Sequence, residues 1–160
     1  MKKFKKILIA LVILFLILQI PFFQPTKNFT EAEPVNDITT VYDVPKDIQN
    51  NLHSACYDCH SNYTKDYPWY SNIQPVSWWL DKHIVEAKKE LNFSEFANYS
   101  AKRKAKKFKE IAEEMEEKTM PLPSYTLMHK HARLSDAAIK DMIDWARKMY
   151  VQVKADSTAF

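Results

Sequence analysis

The sequence of 160 residues contains no glycine. Glycine adopts left-handed backbone conformations without steric cost, so any such position here must be filled by asparagine or aspartate, or avoided. The phosphate-binding loops of P-loop and dinucleotide-binding folds depend on glycine-rich turns. The lack of glycine therefore argues against nucleotide-binding folds of these types.

The chain also has little excess charge beyond its first residues. The formal net charge is +3, and the four lysines within residues 1–6 contribute +4, so the rest of the chain carries −1. A domain this close to neutral has no general attraction to polyanions. We therefore expect no nucleic-acid partner.

A long apolar run follows the lysines and extends from residue 7 to residue 23. In a helix this run spans roughly 25 Å, near the short end of what crosses a bilayer core of about 30 Å. A cleaved secretory signal needs small residues before the cut, and no such triplet follows Leu18. We therefore predict an uncleaved signal anchor over residues 1–24. The lysines then place the chain as a single-pass inner-membrane protein with its C-terminal domain in the periplasm.

The remaining sequence divides into a linker, a domain and a tail. Residues 25–44 are polar and show little periodicity, which is typical of a linker. We predict an all-α domain over residues 45–153 and a tail over residues 154–160. Apolar residues recur at helical spacing in four segments of the domain, namely 45–56, 76–91, 100–118 and 135–150.

The sequence has only two cysteines, Cys56 and Cys59, and they lie in Cys-Tyr-Asp-Cys-His at residues 56–60. Two thiols about one helical turn apart can each form a thioether with one haem vinyl group. The adjacent His60 is then carried under the iron as its proximal ligand. Residues 56–60 therefore predict one covalently attached haem c, and we refer to them as the haem motif.

Two other readings of the cysteine pair remain open. A thioredoxin-like dithiol is expected in a βαβ setting, which the sequence does not show. A structural zinc ion needs about four ligands, and no second pair of ligands stands at the usual spacing. The histidines available to such a site are His53, His60, His83, His129 and His131.

Haem iron in electron-transfer proteins usually takes a second axial ligand, most often methionine or histidine. Met120 follows the third predicted helix, and Pro121 stiffens the loop predicted over residues 120–133. Met120 is thus the preferred distal ligand. The alternatives in the same loop are Met128, His129 and His131, whereas Met115, Met142 and Met149 stand on helical faces where methionine is usually part of the core. A hydrogen bond to a haem propionate or to the Met120 sulfur is a further hypothesis for Tyr67, Trp69 or Tyr125.

The chain resembles a bacterial haem-binding-domain family of monohaem c-type cytochromes and, more distantly, the class I cytochromes c. The likeness runs from about Ile48 to Trp145. Besides the haem motif, it rests on Tyr-Pro-Trp-Tyr (67–70), Asn-Ile-Gln-Pro-Val (72–76), Met-Pro-Leu-Pro-Ser-Tyr (120–125) and Leu-Ser-Asp (134–136). The resemblance implies a cytochrome c-like helical domain with His60 and Met120 as the proximal and distal iron ligands. Class I proteins commonly carry glycines near the methionine and in the first helix, and this chain departs from that pattern.

These features predict an electron carrier that is not an enzyme and that exchanges electrons with redox proteins at the membrane. An iron held by His60 and Met120 changes oxidation state with little rearrangement. The alternative is a haem-based sensor or a small peroxidase-like enzyme with an open distal site. A thiol redox protein is a third hypothesis.

Overall fold

The computed structural model describes residues 2–30, 34–65 and 67–158. The regular secondary structure of these residues is entirely helical. The α-helices are α1 (Lys2–Leu18), α2 (Ile38–Val41), α3 (Lys46–Ala55), α4 (Tyr57–His60), α5 (Val76–Glu90), α6 (Ala101–Glu116), α7 (Pro123–Met128) and α8 (Asp136–Thr158). Short 3₁₀ helices lie between them at Pro21–Phe23, Trp69–Asn72, Phe93–Asn98 and Lys130–Ala132. No strand occurs in the described ranges, and the predicted all-α fold is confirmed.

Four of these helices follow the apolar periodicity of the sequence, namely α3, α5, α6 and α8. Serines cap two of them. The Ser100 hydroxyl accepts a hydrogen bond from the Arg103 amide at 3.3 Å, and the Ser135 hydroxyl accepts one from the Ala138 amide at 3.2 Å. A side-chain oxygen at this position satisfies an N–H group that has no partner within the helix. Ser100 and Ser135 therefore cap α6 and α8.

The segment 120–133 was predicted as a loop, and this prediction is wrong in part. It contains α7 and the short helix Lys130–Ala132. Pro123 occupies the first turn of α7, where its fixed φ favours a helix and its missing N–H costs nothing. With six residues, α7 is too short to produce an apolar period in the sequence.

A single hydrophobic core lies around the long helices α6 and α8, which pack along each other. The same core includes Ile38 and Val44, two buried residues of the segment 25–44. The segment predicted as a linker therefore contributes to the hydrophobic core. At the other end of the chain, α8 continues into the residues predicted as a tail.

The predicted membrane anchor over residues 1–24 is wrong, and with it the predicted single-pass location in the inner membrane with a periplasmic domain. Among the described residues, none of the helices combines the length and the apolar character needed to cross a bilayer. The helix α1 ends at Leu18, within the apolar run, and its first turns are rich in lysine. Its apolar part, residues 7–18, rises only about 18 Å, against a bilayer core of about 30 Å.

The chain after α1 packs against the loop that follows the haem motif. Gln74 is fully buried, and its side-chain amide donates to the Phe23 carbonyl at 3.0 Å. The Asn28 side chain contacts both this loop and α5. Its side-chain amide donates to the Ser61 carbonyl and to the Thr64 hydroxyl, both at 3.0 Å, and its side-chain oxygen accepts from Lys88 at 2.7 Å. We refer to residues 19–28 as the N-terminal segment.

Candidate functional site

The haem motif forms a helical turn directly after α3. The Cys56 carbonyl accepts hydrogen bonds from the amides of Cys59 at 3.2 Å and His60 at 2.9 Å. Cys56 itself has φ −125° and ψ −42°, so α3 and α4 are separate helices. Residues four apart in a helix lie on the same side, which places Cys56 and His60 together.

The His60 side chain is held in one tautomer. Its Nδ1 lies 3.0 Å from the Leu91 carbonyl, and since a carbonyl only accepts, Nδ1 carries the proton. The lone pair of Nε2 is therefore free for a metal. Burial lowers the pKa of His60, the nearby Lys107 lowers it further, and hydrogen bonds to backbone carbonyls act in the opposite direction. A lowered pKa favours the neutral imidazole, which is the form that ligates iron.

Both motif cysteines are free thiols in a desolvated setting. Burial raises the pKa of Cys56 to about 12, and the neighbouring Cys59 adds to the shift. Burial also raises the pKa of Cys59 to about 11, with a contribution from the Asp58 charge. Reactive dithiols of redox enzymes have lowered pKa values, because the thiolate is the nucleophile. This environment is the opposite of the one a catalytic dithiol needs.

A cavity of about 360 Å³ lies beside the haem motif. Cys56, His60 and Met120 all line it, although Met120 is far from the motif in sequence. Its other walls are mainly apolar and are formed by Leu52, Ala55, Leu91, Phe93, Ile111, Met115, Pro121 and Met142, together with Glu90, Lys107, Glu110 and Glu114. The volume is within the range of about 300–1,000 Å³ typical of small-molecule sites. Apolar walls, an imidazole with a free Nε2 and a thioether fit an iron porphyrin.

Cys59 is the one predicted site residue that does not line this cavity. It follows Asp58 in the motif turn, and the charge of its thiolate form would raise the pKa values of Tyr70 and Tyr125, which places it near both phenols. The structure thus brings three of the four predicted residues to one cavity and leaves the fourth beside it.

The end of α6 positions Met120. Lys118 has a positive φ of 56°, and the amides of Lys118 and Thr119 donate to the carbonyls of Met115 and Glu114 at 3.3 and 3.1 Å. This is the Schellman arrangement that terminates a helix with one left-handed residue. The expectation that asparagine or aspartate would fill such a position was wrong, since a lysine does. The turn leads straight to Met120, whose side chain is 37% exposed.

The alternative distal ligands lie away from this cavity. The Nε2 atom of His129 lies 3.2 Å from the Tyr70 hydroxyl, and the His129 ring stacks on Tyr125 with 4.3 Å between centroids. His131 lines a second, more polar cavity of about 830 Å³, and Met128 is exposed. Their positions favour Met120 over all three.

A buried lysine in the cavity wall has no counterpart in the sequence predictions. Lys107 on α6 is only 5% exposed, and its Nζ lies 2.6 Å from Glu110 and 3.4 Å from Glu90. A buried lysine is found almost only when it is paired. The Lys-to-Glu spacing of three residues in the helix is the signal from which the pair could have been found.

Asp58 and Tyr125 form a second contact that the sequence did not reveal. The Tyr125 hydroxyl donates to Asp58 Oδ2 at 2.7 Å. Burial and this hydrogen bond raise the pKa of Tyr125, so the phenol keeps its proton. The hydroxyl is thus directed to Asp58, and the bond from Tyr125 to a haem propionate or to the Met120 sulfur stays a prediction. The Tyr67 hydroxyl accepts a hydrogen bond from the backbone amide of Asn28 at 2.6 Å, and Trp69 is exposed.

A zinc site built on the motif finds no support in the described part of the chain. No group of three or more His, Cys, Asp and Glu side chains in these residues lies close enough to hold a metal ion. A structural zinc needs about four such ligands.

An all-α fold with an apolar cavity, a buried imidazole and a thioether defines the class of small helical haem-binding proteins. Comparison with known families agrees: the model of the haem-binding domain family matches residues 13–148. The chain belongs to the haem-binding domain family. The match begins at residue 13, whereas the likeness seen in the sequence begins at about Ile48, so the match includes the whole N-terminal segment, residues 19–28. Neither the curated proteins nor the solved structures gave a match.

Proposed function

We propose that the protein carries one haem c, attached through Cys56 and Cys59, and that it acts as an electron carrier between redox proteins. The observation that carries the proposal is the cavity lined jointly by Cys56, His60 and Met120. Bound haem supplies a one-electron couple at its iron. A haem iron held by two protein side chains would have no open position for a substrate. Such a site suits electron transfer better than catalysis.

The chain's own residues have distinct tasks in this proposal. His60 offers Nε2 to the iron, and the Leu91 carbonyl fixes its ring orientation and increases its basicity. Met120 would hold the haem iron together with His60, and a methionine–histidine pair would raise the reduction potential of the bound haem. The apolar side chains of Ile111, Met115 and Met142 exclude water from the porphyrin faces.

The first experiment tests attachment. Chain produced with a haem-attachment system is expected to keep its haem after acid–acetone extraction and to show an intact mass increased by one haem. Cys56→Ser and Cys59→Ser in combination should abolish this, whereas Cys59→Ser alone should leave a single thioether with a shifted reduced spectrum. A wild-type chain without added mass contradicts the proposal.

The second experiment tests ligation. Met120→Ala should remove the weak near-infrared band of ferric protein that reports a methionine–iron bond. Met128→Ala is the matched control, because Met128 lies on α7 in the same part of the chain and outside the cavity. A wild-type protein that is high-spin when ferric and binds carbon monoxide rapidly when reduced would instead favour the sensor or peroxidase-like alternative.

A further inference from the structure

Tyr125 connects the two parts of the chain that carry the proposed iron ligands. Its hydroxyl donates to Asp58 Oδ2 at 2.7 Å across 67 residues of sequence. Asp58 stands between the two cysteines of the haem motif, and Tyr125 stands five residues after Met120. The contact therefore joins the methionine segment, residues 120–125, to the motif.

The acceptor in this contact is firmly held. Asp58 is 9% exposed, and its other carboxylate oxygen accepts a hydrogen bond from the Lys65 amide at 3.1 Å. Its backbone carbonyl accepts from the Thr64 hydroxyl at 2.6 Å. The carboxylate thus has a fixed position on the helical turn of the motif, and Tyr125 donates to a charged group with little freedom to move.

The donor is oriented from its other side. The Tyr125 ring stacks on the His129 ring, with 4.3 Å between the centroids and 17° between the planes. The Tyr70 hydroxyl in turn lies 3.2 Å from His129 Nε2. The stacking on His129 restricts the rotamers of Tyr125, so the Tyr125 side chain loses little conformational entropy when it forms the hydrogen bond to Asp58.

Met120 itself has few restraints. Its amide donates to the Glu114 carbonyl at 3.4 Å at the end of α6, and its side chain is 37% exposed. The methionine segment is therefore fixed at its start by α6 and at its end by the Tyr125–Asp58 hydrogen bond. Of these two, only the second ties it to the turn that carries the cysteines and His60.

We infer that Tyr125 is a positioning residue, whose hydrogen bond to Asp58 keeps the methionine segment against the haem motif and thereby holds Met120 at the sixth position of the iron. The inference rests on the proposed function, because it presupposes a haem c with Met120 as its distal ligand. Loss of the bond shifts the equilibrium from the Met120-bound site toward a site that external ligands can enter.

The test uses the full chain loaded with haem and compares Tyr125→Phe with Tyr70→Phe. The second variant is the matched control, because it also removes a phenol hydroxyl from this cluster but leaves the bond to Asp58 intact. Imidazole is titrated into the ferric proteins, where it competes with Met120. We expect Tyr125→Phe to lower the apparent Kd for imidazole on the order of tenfold, as when one hydrogen bond to a charged group is removed. Haem content should be unchanged in both variants.

The role of Asp58 is tested by combining substitutions. In an Asp58→Ala background, Tyr125→Phe should cause no further decrease in the apparent Kd for imidazole, because the bond is already absent. Asp58→Asn keeps an oxygen that accepts the hydrogen bond, so it should restore an affinity close to that of the wild type. A side chain that only filled space would not show this pattern.

Two results would overturn the inference, and they differ from each other. In the first, the wild type shows the near-infrared band of methionine ligation, but Tyr125→Phe binds imidazole with the same apparent Kd as Tyr70→Phe and the wild type. Tyr125 then does not position Met120, and the proposed ligation stands. If the wild type carries haem and lacks the band, Met120 is not the ligand, and the inference fails together with that part of the proposed function.

Discussion

At the scale of single residues, the roles of side chains that are neighbours in sequence could be predicted. The contacts and burial that other parts of the chain give to these side chains could not. The two thiols and His60 are neighbours in sequence, so their relative placement follows from helical spacing alone. The Leu91 carbonyl that orients His60 comes from a different element, and nothing in the sequence points to it. The same holds for the burial that shifts the pKa values of both cysteines.

The raised thiol pKa values predict slow alkylation of the motif cysteines. In haem-free folded chain at pH 8, iodoacetamide should modify Cys59 roughly 100-fold more slowly than in chain unfolded by urea, because burial raises its pKa from 9.0 to about 11. Cys56, with a pKa of about 12, should react more slowly still. The measurement is the modified mass as a function of time.

The same shifts give the stability of the haem-free chain a pH dependence of known sign. A group whose pKa is raised by folding stabilises the folded state below its unfolded pKa and loses that contribution as the pH rises toward its folded pKa. The free energy of unfolding should therefore decrease between about pH 9 and about pH 12, and less so in the Cys56→Ser/Cys59→Ser variant. Alkylation at pH 8 as fast as in urea would contradict the raised pKa values, and alkylation faster than in urea would show activated thiols and support a thiol redox protein.

At the scale of helices, periodicity predicted which segments are helical better than it predicted what covers them. Of the apolar residues at helical spacing in the segment 100–118, Phe108, Ile111 and Met115 are buried. Of those in the segment 76–91, Ile84 is buried, whereas Val76 and Trp79 are exposed. An apolar stripe shows that a helix has a face to bury, but the element that packs on it is decided by the tertiary fold.

The N-terminal segment gives a prediction at this scale. Asn28→Ala removes the side-chain bonds to Ser61, Thr64 and Lys88, which connect this segment to the loop after the haem motif and to α5. We expect the free energy of unfolding to decrease by about 2 kcal/mol, since partly buried partners are left without a donor or acceptor. Urea unfolding followed by circular dichroism measures the change.

Asn50→Ala is the matched control for this substitution. Asn50 is an exposed asparagine on α3, and alanine there should be neutral or slightly stabilising, because alanine favours helix. Equal stability of the two variants would mean that the contacts of the N-terminal segment contribute nothing to folding.

At the scale of the whole molecule, the sequence showed which residues are chemically suited to a haem, whereas the fold shows that they share a site. Hydropathy alone separated residues 1–44 from the domain, yet Ile38 and Val44 lie in its core and Asn28 contacts the loop after the motif. Hydropathy measures composition and carries no information on these long-range contacts. The preference for Met120 came from its place after a helix, and its position in the cavity with His60 follows from the packing of α8 against both α3 and α6.

The position of the cavity predicts that haem contributes strongly to stability. Side chains of the core, among them Leu52, Met115 and Met142, form its walls, so haem bound there covers apolar surface that water otherwise reaches. We expect the haem-loaded chain to melt roughly 10 °C above the haem-free chain in differential scanning calorimetry. Haem-free wild type and the Cys56→Ser/Cys59→Ser variant should melt together near neutral pH, because the cysteines stabilise the fold through the attached haem. Equal melting temperatures with and without haem would place the haem outside this core, because a group bound at the surface covers little apolar area.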